Sequence, residues 1–262
     1  MNTIEEAALV VSAVVTGARH VRSARNGQDA AVTLVARDVA VAVVCDGCSS
    51  GASSEVGARL GATLVARALI ARLVRGERAS DPQTWTAVRA EVVAMLRSIA
   101  ADDRNDRNAT DGFVRDHLLF TIVVAAVTRD EAAVWAIGDG AYVVDGETRT
   151  LGPFANNEPP YLAYDLYDEA RPAHLEILSP ATRTIVIATD GALDLGAAVD
   201  GDLGWFAAAR FLAHPDALRR QLAILARPQE RIDWDERRVV RTPALLQDDC
   251  AIAIVQRVRE VA

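Results

Sequence analysis

Three short apolar runs, each ending in an aspartate beside a glycine, constrain this 262-residue chain more than any other feature. Val39–Cys45 (VAVAVVC) runs into Asp46-Gly47, Ala132–Ile137 (AAVWAI) into Gly138-Asp139-Gly140, and Thr184–Thr189 (TIVIAT) into Asp190-Gly191. Two further acidic positions flank apolar runs: Asp29 precedes Ala30–Arg37, and Asp248-Asp249 precedes Cys250–Val258. Continuous apolar runs without polar alternation suit strands covered on both faces. A carboxylate at the end of such a strand sits on rigid backbone, and its glycine neighbour allows a sharp turn and close approach of a ligand. One Asp-Gly is an ordinary turn. Several acids gathered at one end of a sheet would repel and take up protons unless cations neutralise them. Oxygen-only donors select hard cations such as Mg²⁺ or Mn²⁺. Two such ions, ~3.5–4 Å apart, can lower the pKa of a shared water and clamp a phosphoryl group.

The remaining pattern supplies layers around these strands. Ala8–Val15 and Ala31–Arg37 read as strands. From Glu55 to Val74 the apolar period switches to that of a helix, capped by Ser53 or Ser54. A second helix is expected over Pro82–Ala100, with Asp81 as cap and proline in the first turn. Ala101–Arg107 is a polar loop, and Leu118–Val127 a strand. Asp145-Gly146 marks a hairpin between Ala141–Val144 and Glu147–Leu151. Gly152–Arg171 reads as an ordered loop, with its tyrosines Tyr161, Tyr164 and Tyr167 as core. Short helices are expected over Leu203–Ala213 and Asp216–Ala226, a solvated mixed-charge surface over Arg227–Arg241, and a closing strand over Cys250–Val258. The order of elements predicts an α+β fold with mostly antiparallel pairing, the two long helices covering a sheet. There is no internal repeat or flexible linker, so residues 1–262 are expected to form one domain.

Composition narrows the function. The 28 basic residues, all arginine, against 36 acidic ones give a net charge of −8, which disfavours nucleic acid and anionic lipid as general partners. Three cysteines are too few for a disulfide scaffold. The first residues lack the positive region of a secretory signal, and no run reaches ~18 apolar residues. The expectation is a cytoplasmic protein, monomeric and not bound to membrane.

The ordered series Gly17…Asn26-Gly27-Gln28-Asp29-Ala30, Val44-Cys45-Asp46-Gly47, Ser54-Glu55-Val56-Gly57-Ala58, Phe120-Thr121-Ile122-Val123, Ile137-Gly138-Asp139-Gly140, Ala188-Thr189-Asp190-Gly191 and Asp248-Asp249-Cys250-Ala251 resembles the motif set of the metal-dependent protein phosphatases of the 2C type. Gln28 and the upstream Gly17 to His20 resemble a bacterial branch of that family, as does Asn157–Leu162. The resemblance covers about residues 10–258. It implies an α-β-β-α four-layer sandwich with two central, mostly antiparallel sheets. It implies two divalent cations, Mn²⁺ or Mg²⁺. Asp46 would bridge them, the Gly47 carbonyl would bind one, and Asp190 and Asp248 would bind the other. Asp29 and Gln28 would hold metal waters, and Asp139 with Asp190 a third, weaker ion. The implied reaction is hydrolysis of phosphoserine or phosphothreonine in protein substrates of a serine/threonine kinase, by metal-activated water.

Several residues depart from the family pattern. Gln28 stands where many members have Glu and removes one negative charge. The usual phosphate-binding arginine five residues before Asp29 is Ala24. Arg25 and Arg22 are the better substitutes, being suited to bidentate phosphate contact, and His20 is a third. Cys48 occupies the place of a histidine found in some relatives, and Phe120 replaces a small residue and is expected to narrow the site. Cys45-Asp46-Gly47-Cys48 also fits a redox C-x-x-C pattern, but six residues separate it from the following helix and Cys45 lies within a strand. The remaining alternative is a non-catalytic module of the same fold that binds a partner or phosphopeptide.

Overall fold

In the computed structural model the protein is described over residues 8–101, 107–167, 170–197, 202–214 and 216–258. The expectations for the first residues, and for most of the Ala101–Arg107 loop, lie outside these. In chain order the elements are β1 (Ala8–Val15), α1 (Ala18–Arg22), β2 (Ala30–Ala36), β3 (Val39–Cys45), α2 (Ser54–Val74), α3 (Pro82–Ala100), α4 (Arg107–Phe113), β4 (Ile122–Val127), β5 (Ala132–Ile137), β6 (Gly140–Val144), β7 (Glu147–Leu151), β8 (His174–Leu178), β9 (Thr184–Ala188), α5 (Ala209–Ala213), α6 (Ala217–Leu225), β10 (Gln229–Asp233), β11 (Arg238–Thr242) and β12 (Cys250–Arg257). Short 3₁₀ turns fill Ala155–Asn157, Leu162–Tyr167, Asp190–Ala197 and Leu203–Ala207.

Two five-stranded sheets form the centre, ordered β2-β3-β4-β5-β8 and β1-β12-β9-β6-β7, and every pairing in them is antiparallel. Alternation along each strand divides its side chains between two cores. On β3, Val39, Val41, Val43 and Cys45 face α2 and α3, whereas Ala40, Ala42 and Val44 face the second sheet. On β12, Cys250, Ile252 and Ile254 face the outer helical layer, whereas Ala251, Ala253 and Val255 face inward. The sheet-to-sheet layer is rich in alanine, with Ala40, Ala42, Ala125, Ala132, Ala136, Ala251 and Ala253. Small side chains there let the two sheets pack closely while the bulk is carried by the outer cores. The result is the expected α-β-β-α sandwich.

The helices form for identifiable reasons. α3 starts as expected: Asp81 accepts from the Gln83 N–H and Pro82 fills the first turn. α2 presents Ala58, Ala62, Val65 and Leu69 to β3 and β4. Its cap residue Ser53 makes no side-chain cap bond, and the next serine, Ser54, is turned toward the site instead.

Four local expectations need correction. The strand expected from Leu118 begins only at Ile122, because Val114–Leu118 is a wide helical turn and residues 119–121 hold the Asp46 loop. Gly47 and Phe120 form a lone bridge there. Arg227–Arg241 contains the hairpin β10–β11, whose turn carries Arg237 in a left-handed conformation (φ 49°) without the usual glycine signal. Tyr167, expected in the core, is exposed at the end of its 3₁₀ turn. Phe120 does not narrow the site: its ring is fully buried against Gly57 and Gly61 of α2.

Candidate metal and phosphate site

Antiparallel register brings the acid-bearing strand ends together. Ala30 at the start of β2 pairs with Cys45 at the end of β3, placing Asp29 beside Asp46. β4 begins at the same end, where the Thr121 N–H donates to the Asp46 carbonyl at 2.8 Å and the Cys48 N–H to the Leu119 carbonyl at 2.9 Å. β5 and β6 cross from one sheet to the other through Gly138-Asp139-Gly140. Gly138 and Gly140 have φ of 97° and 131°, and a Cβ on Gly140 would lie 2.7 Å from the Ala188 carbonyl. Only glycine accommodates both the turn and that approach. Ala188, in turn, pairs with Ile252, so Asp190 and Asp248 flank the β9–β12 pair.

The carboxylates from these ends share one electrostatic site. Asp29 and Asp46 hydrogen-bond side chain to side chain. Thr189 Oγ1 donates to Asp29 Oδ2 at 2.6 Å, and its oxygen accepts from the Ala251 N–H at 2.9 Å. Burial pushes the Asp29 carboxyl up to about 7; bonds from Asp46 and Thr189 oppose this, while the charges of Asp249 and Asp190 add to it. Asp46 is pushed well above the ordinary range by burial, then by the charges of Asp29, Asp190 and Asp139. Asp139 rises to about 6 through burial and the charge of Asp190. Asp190 is raised by burial and by Asp248. Such mutual repulsion is what a cation seat imposes on the empty ligand set.

One observation tests whether this set fits a cation. Asp139 Oδ1 is buried and has no hydrogen-bond partner. A buried carboxylate oxygen without a donor is costly, and a hard cation satisfies it. The donors are oxygens throughout, which matches Mg²⁺ or Mn²⁺. His20, Asp248 and Asp249 also have potential ligand atoms within 4.8 Å of one another. In that group, however, His20 Nδ1 and Asp249 Oδ2 are already bonded at 2.6 Å.

The other expected site residues occupy distinct places. The Gln28 side-chain amide donates to Ser54 Oγ at 2.6 Å and to the Cys48 carbonyl at 3.3 Å, and the Gln28 backbone carbonyl accepts from the Gly47 N–H at 3.2 Å. Arg25 Nη2 donates to the carbonyls of Ser49 (3.0 Å) and Gly51 (3.3 Å), so its guanidinium lies on the loop that follows Asp46-Gly47. Arg22 instead donates to Gln247 Oε1 at 3.2 Å, and Arg19 sits 3.7 Å from Asp248. His20 is buried with its ring held by Asp249.

Two residues matter more than the sequence suggested. Asp249 is buried and accepts from the Gly17 N–H (2.8 Å), the Gln28 N–H (2.6 Å) and His20. It ties β1–α1, β2 and β12 together beneath the site. The Asp-Asp doublet carries this signal, since adjacent strand residues face opposite sides, one outward and one into the fold. Tyr161 is buried beside Cys48, whose thiol contacts Ser50 Oγ at 3.1 Å. Burial alone would raise that thiol; its bonds to Ser50 and Tyr161 lower it on balance. Cys45, Cys48 and Cys250 are free thiols. No helix among the described residues is long and apolar enough to cross a membrane.

A four-layer sandwich with a carboxylate cluster at one end is the architecture of serine/threonine phosphatases of the 2C class. The chain belongs to the protein phosphatase 2C family, whose sequence profile matches residues 16–226. Among curated proteins no sequence match is found. The fold is similar to the serine-threonine phosphatase 2C of Toxoplasma gondii (TM-score 0.58, 14% identity, 97% of this chain and 96% of that one). It is also similar to the serine/threonine phosphatase Stp1 of Staphylococcus aureus (TM-score 0.56, 15% identity, 96% and 95%). A third similar structure is PppA, a regulatory component of T6SS in Pseudomonas aeruginosa (TM-score 0.55, 17% identity, 96% and 98%).

Proposed function

We propose that the protein is a metal-dependent phosphatase that hydrolyses phosphoserine and phosphothreonine in phosphoprotein substrates. The observation that carries this reading is the junction of Asp29, Asp46, Asp139, Asp190 and Asp248, each from a different strand end, with burial and mutual repulsion raising the proton affinities of Asp29, Asp46, Asp139 and Asp190. Asp46, the Gly47 carbonyl, Asp190 and Asp248 would hold two Mg²⁺ or Mn²⁺ ions, with Asp139 and Asp190 serving a third. When bound, such ions neutralise the carboxylates, polarise phosphoryl oxygens and supply a nucleophile at neutral pH.

The protein's own groups do the rest. Asp29, fixed by Thr189, accepts protons from water within the cluster. Gln28 fixes the loop through Ser54 and Cys48. Arg25, its Nη2 held by the loop after Gly47, has Nη1 left to donate to the phosphate.

The test is hydrolysis of p-nitrophenyl phosphate and of phosphopeptides with Mn²⁺. We expect both to be cleaved, Asp46→Asn to lose at least ~10³-fold in kcat, and Arg25→Ala to act mainly on KM. Phosphopeptide binding without turnover would replace this reading by that of a non-catalytic module. Undiminished turnover in Asp46→Asn would remove the carboxylate cluster from the chemistry.

A further inference from the structure

An apolar groove of about 480 Å³ lies between α1, the end of α6 and the feet of the β10–β11 hairpin. We propose that it receives an apolar side chain of the phosphoprotein substrate, together with a neighbouring carboxylate; this rests on the phosphatase reading above and adds a substrate preference to it.

The groove has the size and character of a binding site. Volumes of roughly 300–1,000 Å³ with apolar walls and a few polar groups are typical of such sites. Its walls include Val15, Val21, Ala223, Ala226, Pro228 and Pro243. Val21, on α1, is 64% exposed and so open to a guest. Proline at both feet of the hairpin leaves no backbone N–H there to be desolvated by an apolar guest. The walls are fixed: the Leu245 and Leu246 N–H groups both donate to the Leu225 carbonyl, at 2.9 and 3.1 Å.

Charge selects the guest. In a chain of net charge −8, the charged residues lining the groove are, among the described residues, the two arginines Arg22 and Arg227. An acidic residue beside the apolar one would meet both guanidinium groups.

Position connects the groove to the chemistry. The Ala18 and Arg19 N–H groups donate to the carbonyls of Leu246 and Gln247, so α1 rides on the segment that leads into Asp248. Arg19 faces Asp248 and Arg22 borders the groove. Ala244, in the groove, lies four positions before Asp248, a span of at most ~14 Å in extended chain. A substrate bound at the carboxylate cluster therefore reaches the groove with a residue about three to five positions from its phosphoserine.

The experiment uses a phosphoserine peptide library in an alanine background, with Leu-Asp placed in turn at each position up to five residues on either side. Two readouts are taken: kcat/KM with Mn²⁺ for the wild-type protein, and fluorescence anisotropy on the inactive Asp46→Asn variant, which reports binding even without turnover. We expect one position to improve both by about tenfold. Ala223→Trp, which fills the groove, and Val21→Glu, an exposed change that leaves the core alone, should each abolish that preference. Hydrolysis of p-nitrophenyl phosphate, too small to reach the groove, should stay within about twofold. A flat library in both readouts overturns the proposal, as does an unchanged preference in both groove variants. Displacement of a fluorescent fatty acid from the groove with a flat library assigns it to a small amphipathic anion instead. Failure to hydrolyse p-nitrophenyl phosphate counts against the phosphatase reading alone, because the anisotropy arm still decides the groove.

Discussion

Asp29 and Asp46 stand side by side at the β2–β3 end, close enough to share a proton between their carboxyls. Both groups hold that proton more tightly than a free aspartate, because burial and the surrounding acids disfavour a second negative charge. An acid whose folded-state pKa is raised contributes stability that is complete below its unfolded value, 3.8, and is lost as pH rises through the folded value, about 7 for Asp29. Asp139, raised to about 6, acts in the same direction. The metal-free protein should therefore melt at a progressively lower temperature from about pH 4 to about pH 7. Mn²⁺ should reverse the trend, stabilising most at the alkaline end, and its binding should release protons. Thermal melts in EDTA and in Mn²⁺ across this range check the first part; calorimetry in buffers of different ionisation enthalpy checks the second. A flat metal-free profile would falsify the shared-proton description.

Gln28 sets up a conflict between stability and metal affinity. Its amide is a donor to both Ser54 Oγ and the Cys48 carbonyl. Glutamate cannot donate to that carbonyl and brings a further negative charge into a buried acidic cluster. Gln28→Glu should destabilise the metal-free protein by about 1–3 kcal/mol. It should also tighten Mn²⁺ binding, on the order of tenfold, because ligand charge tunes cation affinity. The two changes have opposite signs, so a melt in EDTA and a Mn²⁺ titration on one preparation suffice. Loss or gain of both together would contradict the geometry.

Much of this was legible because buried strands announce themselves. β3, β5 and β9 are uniformly apolar, so their limits and the acids at their ends could be read directly. The edge strand β8 and the hairpin β10–β11 could not, since half-exposed strands alternate with charge and the β10–β11 turn lacks glycine. At the site, the acids bear their own signal, but the roles of the arginines do not. Arg19, Arg22 and Arg25 lie within seven residues of sequence, yet they point to Asp248, Gln247 and the Ser49–Gly51 loop respectively. Those directions depend on α1 being hung from residues 246–247, a long-range contact that local pattern does not carry.

Asp249 should be the most sensitive position outside the metal ligands. Its carboxylate satisfies three buried donors, from Gly17, Gln28 and His20. Asp249→Ala orphans all three, and each buried donor left unsatisfied costs about 1–3 kcal/mol. Asp249→Asn keeps one oxygen, which can serve Gln28 and His20, but turns an N–H toward Gly17. Its loss should therefore be smaller than that of alanine. Urea unfolding in EDTA should rank wild type above Asn above Ala. Equal stability of Asn and Ala would show that the Gly17 bond, rather than the pair of bonds at Oδ2, dominates.

Phe120 and Gly61 form a lock between the sheet and α2. A Cβ at Gly61 would stand 2.1 Å from Phe120 Cε2, and one at Gly57 would stand 2.1 Å from the His117 carbonyl. The ring of Phe120 is fully buried, so it has no free direction in which to yield. Gly61→Ala, favourable for an isolated helix by about 1 kcal/mol, should instead destabilise the protein by about 1–3 kcal/mol through overpacking. Phe120→Leu alone should leave a cavity and also destabilise. Combined, the methyl of alanine occupies part of the space the ring vacates, so the double variant should be more stable than the sum of the single losses. An interaction of at least ~0.5 kcal/mol in this cycle is expected for residues in direct contact. Additive losses would mean that α2 shifts as a body. Because α2 begins at Ser54, such a shift would also disturb the Gln28 amide and register as a weaker Mn²⁺ titration.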